Sequence, residues 1–98
     1  METRHRKQSL ERLETETEYN AGFPPEVVRA FRLRMNFIRE ADDERDLRAR
    51  KAYCFKKLGG TRRGQYSIRL NDQWRLIVEI VGRCPNKIVM VVDITDYH

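Results

Sequence analysis

The stretch GQYSIRLNDQWRLIVEI, residues 64–80, decides the fold, because two runs of alternating apolar side chains flank a short polar segment. Alternation with a period of two is typical of strands with one buried face. A three-residue loop between the runs sets Leu70 opposite Trp74 and Ile68 opposite Leu76, whereas a two-residue loop sets Ile68 opposite an arginine. Because register follows the apolar pattern, we predict a β-hairpin with the three-residue loop.

The predicted register brings two cations together on the polar face of the hairpin, because it sets Arg69 directly opposite Arg75. Like charges that face each other across a strand pair destabilise it by a few tenths to about 1 kcal/mol. An anion bound between the two guanidinium groups would explain the pair. The pattern alone is equally compatible with arginines that each reach a helix carboxylate, such as Glu11 or Asp42.

Helical periodicity dominates the first half of the chain. Residues 7–19 are rich in helix-forming side chains. Pro24 and Pro25 open a second helix, and in residues 26–40 apolar side chains recur every three or four positions, which predicts a buried stripe. Three arginines are predicted to point outward from this stripe: Arg29, Arg32 and Arg39.

The remaining segments complete a sheet. Residues 42–50 are predicted to be a polar connector with one helical turn. The apolar run at residues 88–94 is typical of a strand that is covered on both faces. Two helices that pack on a twisted, mainly antiparallel sheet form an α+β domain, and 98 residues are enough for one such domain, residues 1–98.

The charge distribution indicates an anionic partner. The chain has 20 Lys and Arg residues against 15 Asp and Glu residues, a net charge of +5. Residues 1–50 are neutral, with eleven charges of each sign, whereas residues 51–75 carry seven basic side chains and one acidic side chain. This local field suits phosphates or an acidic protein. A solvated basic face that only keeps the protein soluble is equally compatible with the pattern.

Several classes of protein are excluded by what the composition lacks. No apolar run approaches the ~20 residues of a membrane helix, and the first residues are charged, so we expect a soluble, cytoplasmic protein with no membrane partner. Cys54 and Cys84 lack CxxC spacing and are expected to be small buried side chains. The only histidines are His5 and His98, so no metal site and no cofactor are expected.

The stretch LGGTRRGQYSIRLNDQWRLIVEI, residues 58–80, and the ending VVDITDYH, residues 91–98, resemble the RelE/ParE superfamily of bacterial toxins, and most closely its HigB branch. The resemblance implies two helices on a twisted antiparallel sheet, in a toxin inactivated by an antitoxin encoded beside it. In this branch the antitoxin, HigA-like, carries a helix-turn-helix domain, through which the pair binds operator DNA. The usual opening strand is reduced to METRHR, residues 1–6, which indicates a short edge strand or a start inside the usual one.

The resemblance also implies an activity, which is ribosome-dependent, metal-free cleavage of messenger RNA. Arg69 and Arg75 match basic strand residues of the RelE-like active site, and Asp96, Tyr97 and His98 match the HigB-like terminal site. Cleavage of this type uses the ribose 2′-OH as nucleophile, which restricts it to RNA. Arginine stays charged and can bind two phosphate oxygens, so the two arginines are expected to stabilise the charge that grows on phosphate.

The remaining roles at the site are assigned by side-chain chemistry. His98 has an intrinsic pKa near neutrality and is expected to be an acid or base. Asp96 is expected to act as base or to orient the histidine, and Tyr97 to stack a base or donate a proton. Four further cations are expected to bind phosphates or RNA: Lys56, Lys57, Arg62 and Arg63. At two positions this chain departs from its relatives, since Lys56 replaces a histidine of HigB relatives and Ser67 a basic residue of RelE relatives.

Two alternative functions are compatible with the resemblance. One is a non-catalytic inhibitor of DNA gyrase, like the ParE branch, and the other is a degenerate toxin that only binds antitoxin or RNA. Retention of the two arginines and of the Asp96-Tyr97-His98 ending favours cleavage, because a pure binder needs no proton-transfer group.

Overall fold

In residues 1–83 and 85–96, the part of the chain that the computed structural model describes, helices cover one face of a five-stranded sheet. The helices and strands are β1 (Glu2–His5), α1 (Gln8–Thr15), α2 (Pro25–Glu40), α3 (Glu44–Ala49), β2 (Lys56–Lys57), β3 (Tyr66–Arg69), β4 (Trp74–Val81) and β5 (Ile88–Asp96). The strand order is β1-β5-β4-β3-β2, with β1 parallel to β5 and the other neighbours antiparallel. The predicted α+β class with a mainly antiparallel sheet is confirmed.

The β3–β4 hairpin has the predicted register, with Ile68 opposite Leu76 and Arg69 opposite Arg75. The backbone N–H of Leu70 donates to the carbonyl oxygen of Trp74 at 2.9 Å, which closes the loop at three residues. Inside the loop the Asn71 side-chain oxygen accepts hydrogen bonds from the backbone N–H groups of residues 73 and 74, at 2.9 and 2.8 Å. Asparagine therefore stabilises the turn that the apolar pattern requires.

The hydrophobic core lies between α1, α2 and one face of the sheet. The stripe predicted on the second helix is buried, and its members are Val27, Val28, Phe31, Met35 and Ile38. The strand side chains that meet it alternate along β3, β4 and β5, and include Ile68, Leu76, Val78, Val89, Val91 and Ile94. This alternation leaves the opposite face of the same strands, which carries Arg69 and Arg75, turned away from the helices.

β5 differs from its prediction as a strand covered on both faces. Val89, Val91, Val92 and Ile94 are buried, whereas Met90 and Asp93 are only half-buried. The reason is that the helices cover a single face, and that a bulge between Ile77 and Val78 in the pairing with β5 shifts the alternation there.

Three local features also differ from the sequence-based expectations. α1 ends at Thr15 instead of residue 19. The polar connector contains a six-residue helix, α3, whose N-terminus is capped by the Asp43 side chain. Cys54 is free and exposed instead of buried, while Cys84 lies outside the described residues. The first strand, β1, is a four-residue edge strand, as short as the sequence indicated.

Arg32 does not point outward as predicted. Its side chain contacts the end of α1 and the loop that follows, which explains why α1 ends early. Its Nε donates to the carbonyl oxygen of Leu13 at 3.0 Å. Its Nη2 lies within hydrogen-bond distance of the carbonyl oxygens of Glu16, Thr17 and Tyr19, at 2.9, 3.3 and 3.2 Å. One guanidinium thus satisfies the carbonyl groups at the end of α1 and in the loop that follows, which ties that loop to α2.

Replacing Arg32 with methionine is expected to lower the free energy of unfolding by about 2 kcal/mol, because hydrogen bonds from a charged donor contribute about 1.5–3 kcal/mol. Urea denaturation measures the change. Arg29→Met is the matched control, since Arg29 is an exposed residue of the same helix, and a change within about 0.5 kcal/mol is expected there. Equal losses in the two variants would contradict a capping role for Arg32.

Candidate active site

A cavity of about 550 Å³ opens on the face of the sheet that the helices do not cover. Its walls come from the loop after β2, from β3 and β4, and from the end of β5, and the lining residues are Leu58, Gly59, Arg62, Ser67, Arg75, Ile77, Thr95 and Asp96. Two cations and one carboxylate therefore surround a floor that is partly apolar. The face is the one on which the hairpin register sets Arg69 opposite Arg75.

The two paired arginines have different environments. Arg75 lines the cavity. Arg69 turns toward the hairpin loop, where its Nε donates to the carbonyl oxygen of Asn71 at 3.3 Å and its Nη2 forms an ion pair with Asp72. The pKa of Arg69 is raised above its ordinary value. The largest cause is a hydrogen bond with the Cys54 side chain, and the next is the contact with Asp72. The carboxylate partner of Arg69 thus comes from its own hairpin and not from a helix.

Two oxygen atoms are among the hydrogen-bond partners of Arg75. Its Nη1 donates to the hydroxyl oxygen of Ser67 at 3.2 Å and lies 3.4 Å from the carbonyl oxygen of Cys54. Ser67 is completely buried, and Cys54 has a left-handed backbone conformation with φ of 44°. Lys56 pairs with Ser67 across β2 and β3, so it lies on the same face of the sheet.

Arg62, the second cation of the cavity, belongs to a chain of four polar side chains. Its Nη1 donates to Oε1 of Gln65 at 3.1 Å, and Nε2 of Gln65 donates to Oε2 of Glu79 at 3.0 Å. Arg6 completes the chain with two hydrogen bonds to the carboxylate of Glu79, at 2.6 and 3.2 Å. Sequence reasoning missed Gln65, Glu79 and Arg6. The signal was present, because the register that pairs Arg69 with Arg75 also sets Gln65 opposite Glu79.

Of the other predicted site residues, only Asp96 is placed at the cavity by the described part of the structure. Asp96 lines the cavity at the end of β5, and its Oδ2 accepts a hydrogen bond from Nε2 of Gln73 at 2.7 Å. Lys57 pairs with Tyr66 and therefore projects to the face opposite that of Lys56. Arg63 is exposed and follows the turn that contains Arg62. Tyr97 and His98, the remaining predicted catalytic residues, lie outside the described residues.

No group of three or more His, Cys, Asp or Glu side chains that could hold a metal ion occurs in residues 1–83 and 85–96. Over the same residues, no helix is both long enough and apolar enough to span a membrane.

The ion pair of Glu79 predicts a pH dependence of stability. Two hydrogen bonds hold the pKa of Glu79 below its ordinary value of 4.5. The one from Arg6 has the larger effect, and the other comes from Gln65. A carboxylate with a lower pKa in the folded state stabilises the fold at pH values above its unfolded-state pKa, and this contribution is lost as the pH falls through the folded-state pKa. We expect Glu79→Gln to lower the free energy of unfolding at pH 7, with a difference from wild type that shrinks as the pH falls below 4.5.

Thermal unfolding followed between pH 7 and strongly acidic pH tests this expectation. Glu18→Gln, a change at an exposed carboxylate in the loop after α1, is the control and should have a small effect at pH 7. A difference between wild type and Glu79→Gln that persists unchanged into the acid range would show that the charge of Glu79 is not the stabilising feature.

Comparison with known proteins connects this geometry with a family. Residues 3–98 match the family described as the RelE-like toxin of the type II toxin-antitoxin system HigB. A YoeB/ParE toxin from Agrobacterium tumefaciens is similar in structure, with 16% identity, a TM-score of 0.62 and 100% of each chain covered. A YoeB-YefM complex from Staphylococcus aureus has 16% identity and a TM-score of 0.59 over 100% of this chain and 97% of that chain. At such identities the two structures support the fold alone.

No curated protein matches the chain at a significant level. The family match leaves out only the first two residues and includes every strand and loop that lines the cavity. The chain therefore belongs to the HigB family of RelE-like toxins of type II toxin-antitoxin systems.

Proposed function

We propose that the protein is a ribosome-dependent, metal-free endoribonuclease that cleaves messenger RNA and thereby inhibits translation and growth. Toxins of the RelE and HigB family are typically ribonucleases. The observation that carries the proposal is the cavity on the open face of the sheet, where Arg62 and Arg75 lie with Asp96 at the end of β5. Cations for a phosphate and a proton acceptor are therefore present in one site.

The proposed reaction is attack of a ribose 2′-OH on the adjacent phosphorus. The 2′-oxygen forms a bond to phosphorus, its proton passes to a base, and the bond to the 5′-oxygen breaks as that oxygen takes a proton from an acid. The products are a 2′,3′-cyclic phosphate and a free 5′-OH. Arg75 is suited to the phosphate oxygens, because a guanidinium stays charged and presents several donors to the charge that develops there.

Proton transfer is assigned to the end of the chain. Asp96 lies at the cavity and can accept a proton or orient its neighbour. Tyr97 and His98 follow it directly in the sequence, and the family resemblance supports their role. An imidazole titrates near neutral pH and can serve as acid or base at physiological pH.

The electrostatics of the open face support an anionic substrate. Besides Asp96, which lines the cavity, Glu79 and Asp93 lie on this face among the described residues, and each is paired with a cation from the segment around β1. Glu79 is bonded to Arg6, and Asp93 lies 3.1 Å from Nζ of Lys7. Neutralised carboxylates repel a phosphate less, so the positive charge of Arg62 and Arg75 dominates the field at the cavity.

The proposed partners follow from the size and charge of the site. A cavity of about 550 Å³ contacts only a short piece of RNA, so the ribosome is proposed to hold the messenger RNA in place for the toxin. The cognate antitoxin is proposed to be HigA-like, with a helix-turn-helix domain through which the complex contacts operator DNA. The basic residues 51–75 suit acidic side chains on that antitoxin.

Controlled expression in bacteria tests the proposed function. Mapping of new 5′ ends on translated messenger RNA should show cuts in phase with codons, and purified protein should reproduce them on programmed ribosomes. Growth arrest with intact messenger RNA and inhibited DNA supercoiling would replace the proposal with gyrase inhibition. Antitoxin binding without any effect on growth would indicate a degenerate toxin.

A further inference from the structure

Each arginine of the cavity has an oxygen acceptor at or next to strand β3. Gln65 directly precedes the strand and Ser67 lies in it, and each accepts a hydrogen bond from one Nη1 atom. The distance is 3.1 Å from Arg62 to Gln65 and 3.2 Å from Arg75 to Ser67. The two acceptors differ in burial, since Gln65 is half-buried and Ser67 is completely buried.

The burial of Ser67 calls for a physical explanation. Its neighbours along and across the strand, Ile68 and Ile77, are apolar and buried as well. A hydroxyl at such a position loses hydration, and the loss is compensated only when the hydroxyl is hydrogen-bonded. The donor on Arg75 supplies such a bond. An alanine at position 67 would fill nearly the same space without carrying the polar group.

We propose that Ser67 is a positioning residue that orients the guanidinium of Arg75 toward the phosphate, an inference that rests on the proposed function. Nη1 of Arg75 lies between the Ser67 hydroxyl oxygen and the Cys54 carbonyl oxygen. Two acceptors on one nitrogen restrict the rotation of a planar guanidinium. Cys54, whose carbonyl oxygen is the second acceptor, has a left-handed backbone conformation that few non-glycine residues adopt.

Orientation matters because the arginine fork binds phosphate oxygens in a fixed plane. An arginine that keeps its charge but loses one of its acceptors still attracts RNA, but it places its donors less often where the transition-state charge develops. Loss of Ser67 should therefore reduce the rate of the chemical step much more than the affinity for the substrate. This separation distinguishes a positioning residue from a residue that binds RNA.

The test uses three variants and one matched control. Ser67→Ala removes the hydroxyl, Ser67→Thr retains it on a side chain that strands accommodate well, and Ser67→Cys keeps the size with a weaker acceptor. Ser9→Ala is the control, because Ser9 is the only other serine of the chain and lies on α1. Melting temperatures of all four proteins show whether each variant is folded.

Cleavage of messenger RNA on programmed ribosomes is the first measurement. We expect Ser67→Ala to lower kcat by about tenfold to 100-fold with a KM within about twofold of wild type. Ser67→Cys should be intermediate, and Ser67→Thr and Ser9→Ala should be close to wild type. Wild-type kcat in Ser67→Ala, in a preparation whose wild type cleaves RNA, would overturn the positioning role and leave the nuclease proposal intact. A kcat loss that Ser67→Thr does not rescue would also overturn it.

The second measurement needs no RNA and separates the two proposals. In ¹⁵N spectra of the arginine side chains, restricted rotation of Arg75 should give resolved Nη signals in wild type and Ser67→Thr, and these signals should exchange faster in Ser67→Ala, where one acceptor is lost. If wild type fails to cleave RNA, the nuclease proposal is wrong, and these spectra still decide the orientation of Arg75. Identical Arg75 signals in wild type and Ser67→Ala would overturn the inference.

Discussion

Arg75→Ala is expected to reduce ribosome-dependent cleavage by about 100- to 1,000-fold, the loss that removal of one electrostatic donor in an active site typically causes. Arg75 is the arginine of the β3–β4 pair that lines the cavity, and no neutral side chain can replace its charge at the phosphate. The loss should appear in kcat, since the interaction strengthens as charge develops on the phosphate. Single-turnover cleavage on programmed ribosomes measures it directly.

Arg75→Lys and Arg69→Ala are the informative comparisons for this prediction. Lysine retains the charge without the planar fork, so Arg75→Lys should recover only part of the rate. Arg69 is engaged with Asn71 and Asp72 in the hairpin loop. Arg69→Ala should therefore lower the cleavage rate by about tenfold or less, because it affects the electrostatic field at the phosphate more than the direct contacts with the phosphate. If Arg69→Ala is the more damaging variant, the phosphate lies nearer the hairpin loop than the cavity indicates.

Phe31→Ala is expected to lower the free energy of unfolding by about 3–5 kcal/mol, the typical cost of deleting a buried aromatic side chain. Phe31 lies in α2, is completely buried and belongs to the core between the helices and the sheet. Domains of this size have a total stability of roughly 5–15 kcal/mol. The variant should therefore lose a large share of it and accumulate poorly in cells.

Leu33→Ala is the matched control for the core prediction. Leu33 lies two residues away on the same helix, but 57% of its surface is exposed. Its replacement should change the free energy of unfolding by no more than about 0.5 kcal/mol. Urea denaturation of both variants gives the comparison. Similar losses at Leu33 and Phe31 would mean that helix propensity, and not burial, dominates at these positions.

The stability of α2 also bears on the site. From this helix Arg34 extends toward the sheet, and its Nε donates to the carbonyl oxygen of Arg69 at 3.0 Å. Its guanidinium lies 4.3 Å from the ring centre of Tyr53, and burial lowers the pKa of Arg34 below its ordinary value. The helix layer thus holds the end of β3 that carries Arg69. Helical periodicity in residues 26–40 does not show which backbone atom the Arg34 side chain reaches.

Much of the fold could be predicted because its signals are local. The hairpin register follows from side chains within 64–80, and a one-residue slip would turn every apolar side chain to the wrong face. The α2 stripe follows from the helical period in the same way. By contrast, the role of Arg32 could not be predicted, since its acceptors lie in α1 and in the loop that follows, and only the packing of α1 on α2 brings them close.

The candidate site was predictable in outline and not in detail. The resemblance named Arg75 and Asp96, and the structure brings both to one cavity. It did not indicate Gln65 or Glu79, although the hairpin register sets these two residues opposite each other. The contact of Glu79 with Arg6, from the segment after β1, depends on the assembled sheet and could not be predicted from a local pattern.

By itself, the sequence determined the α+β class, the face on which Arg69 and Arg75 meet, and the concentration of positive charge after residue 50. These properties depend on periodicity and composition over short stretches of chain. Only the tertiary structure decided that Arg75 lines the cavity while Arg69 turns away from it. The physical reason is that a guanidinium follows its hydrogen-bond acceptors, and the acceptors of Arg75, on Cys54 and Ser67, are brought together only when β2 and β3 pair in the folded sheet.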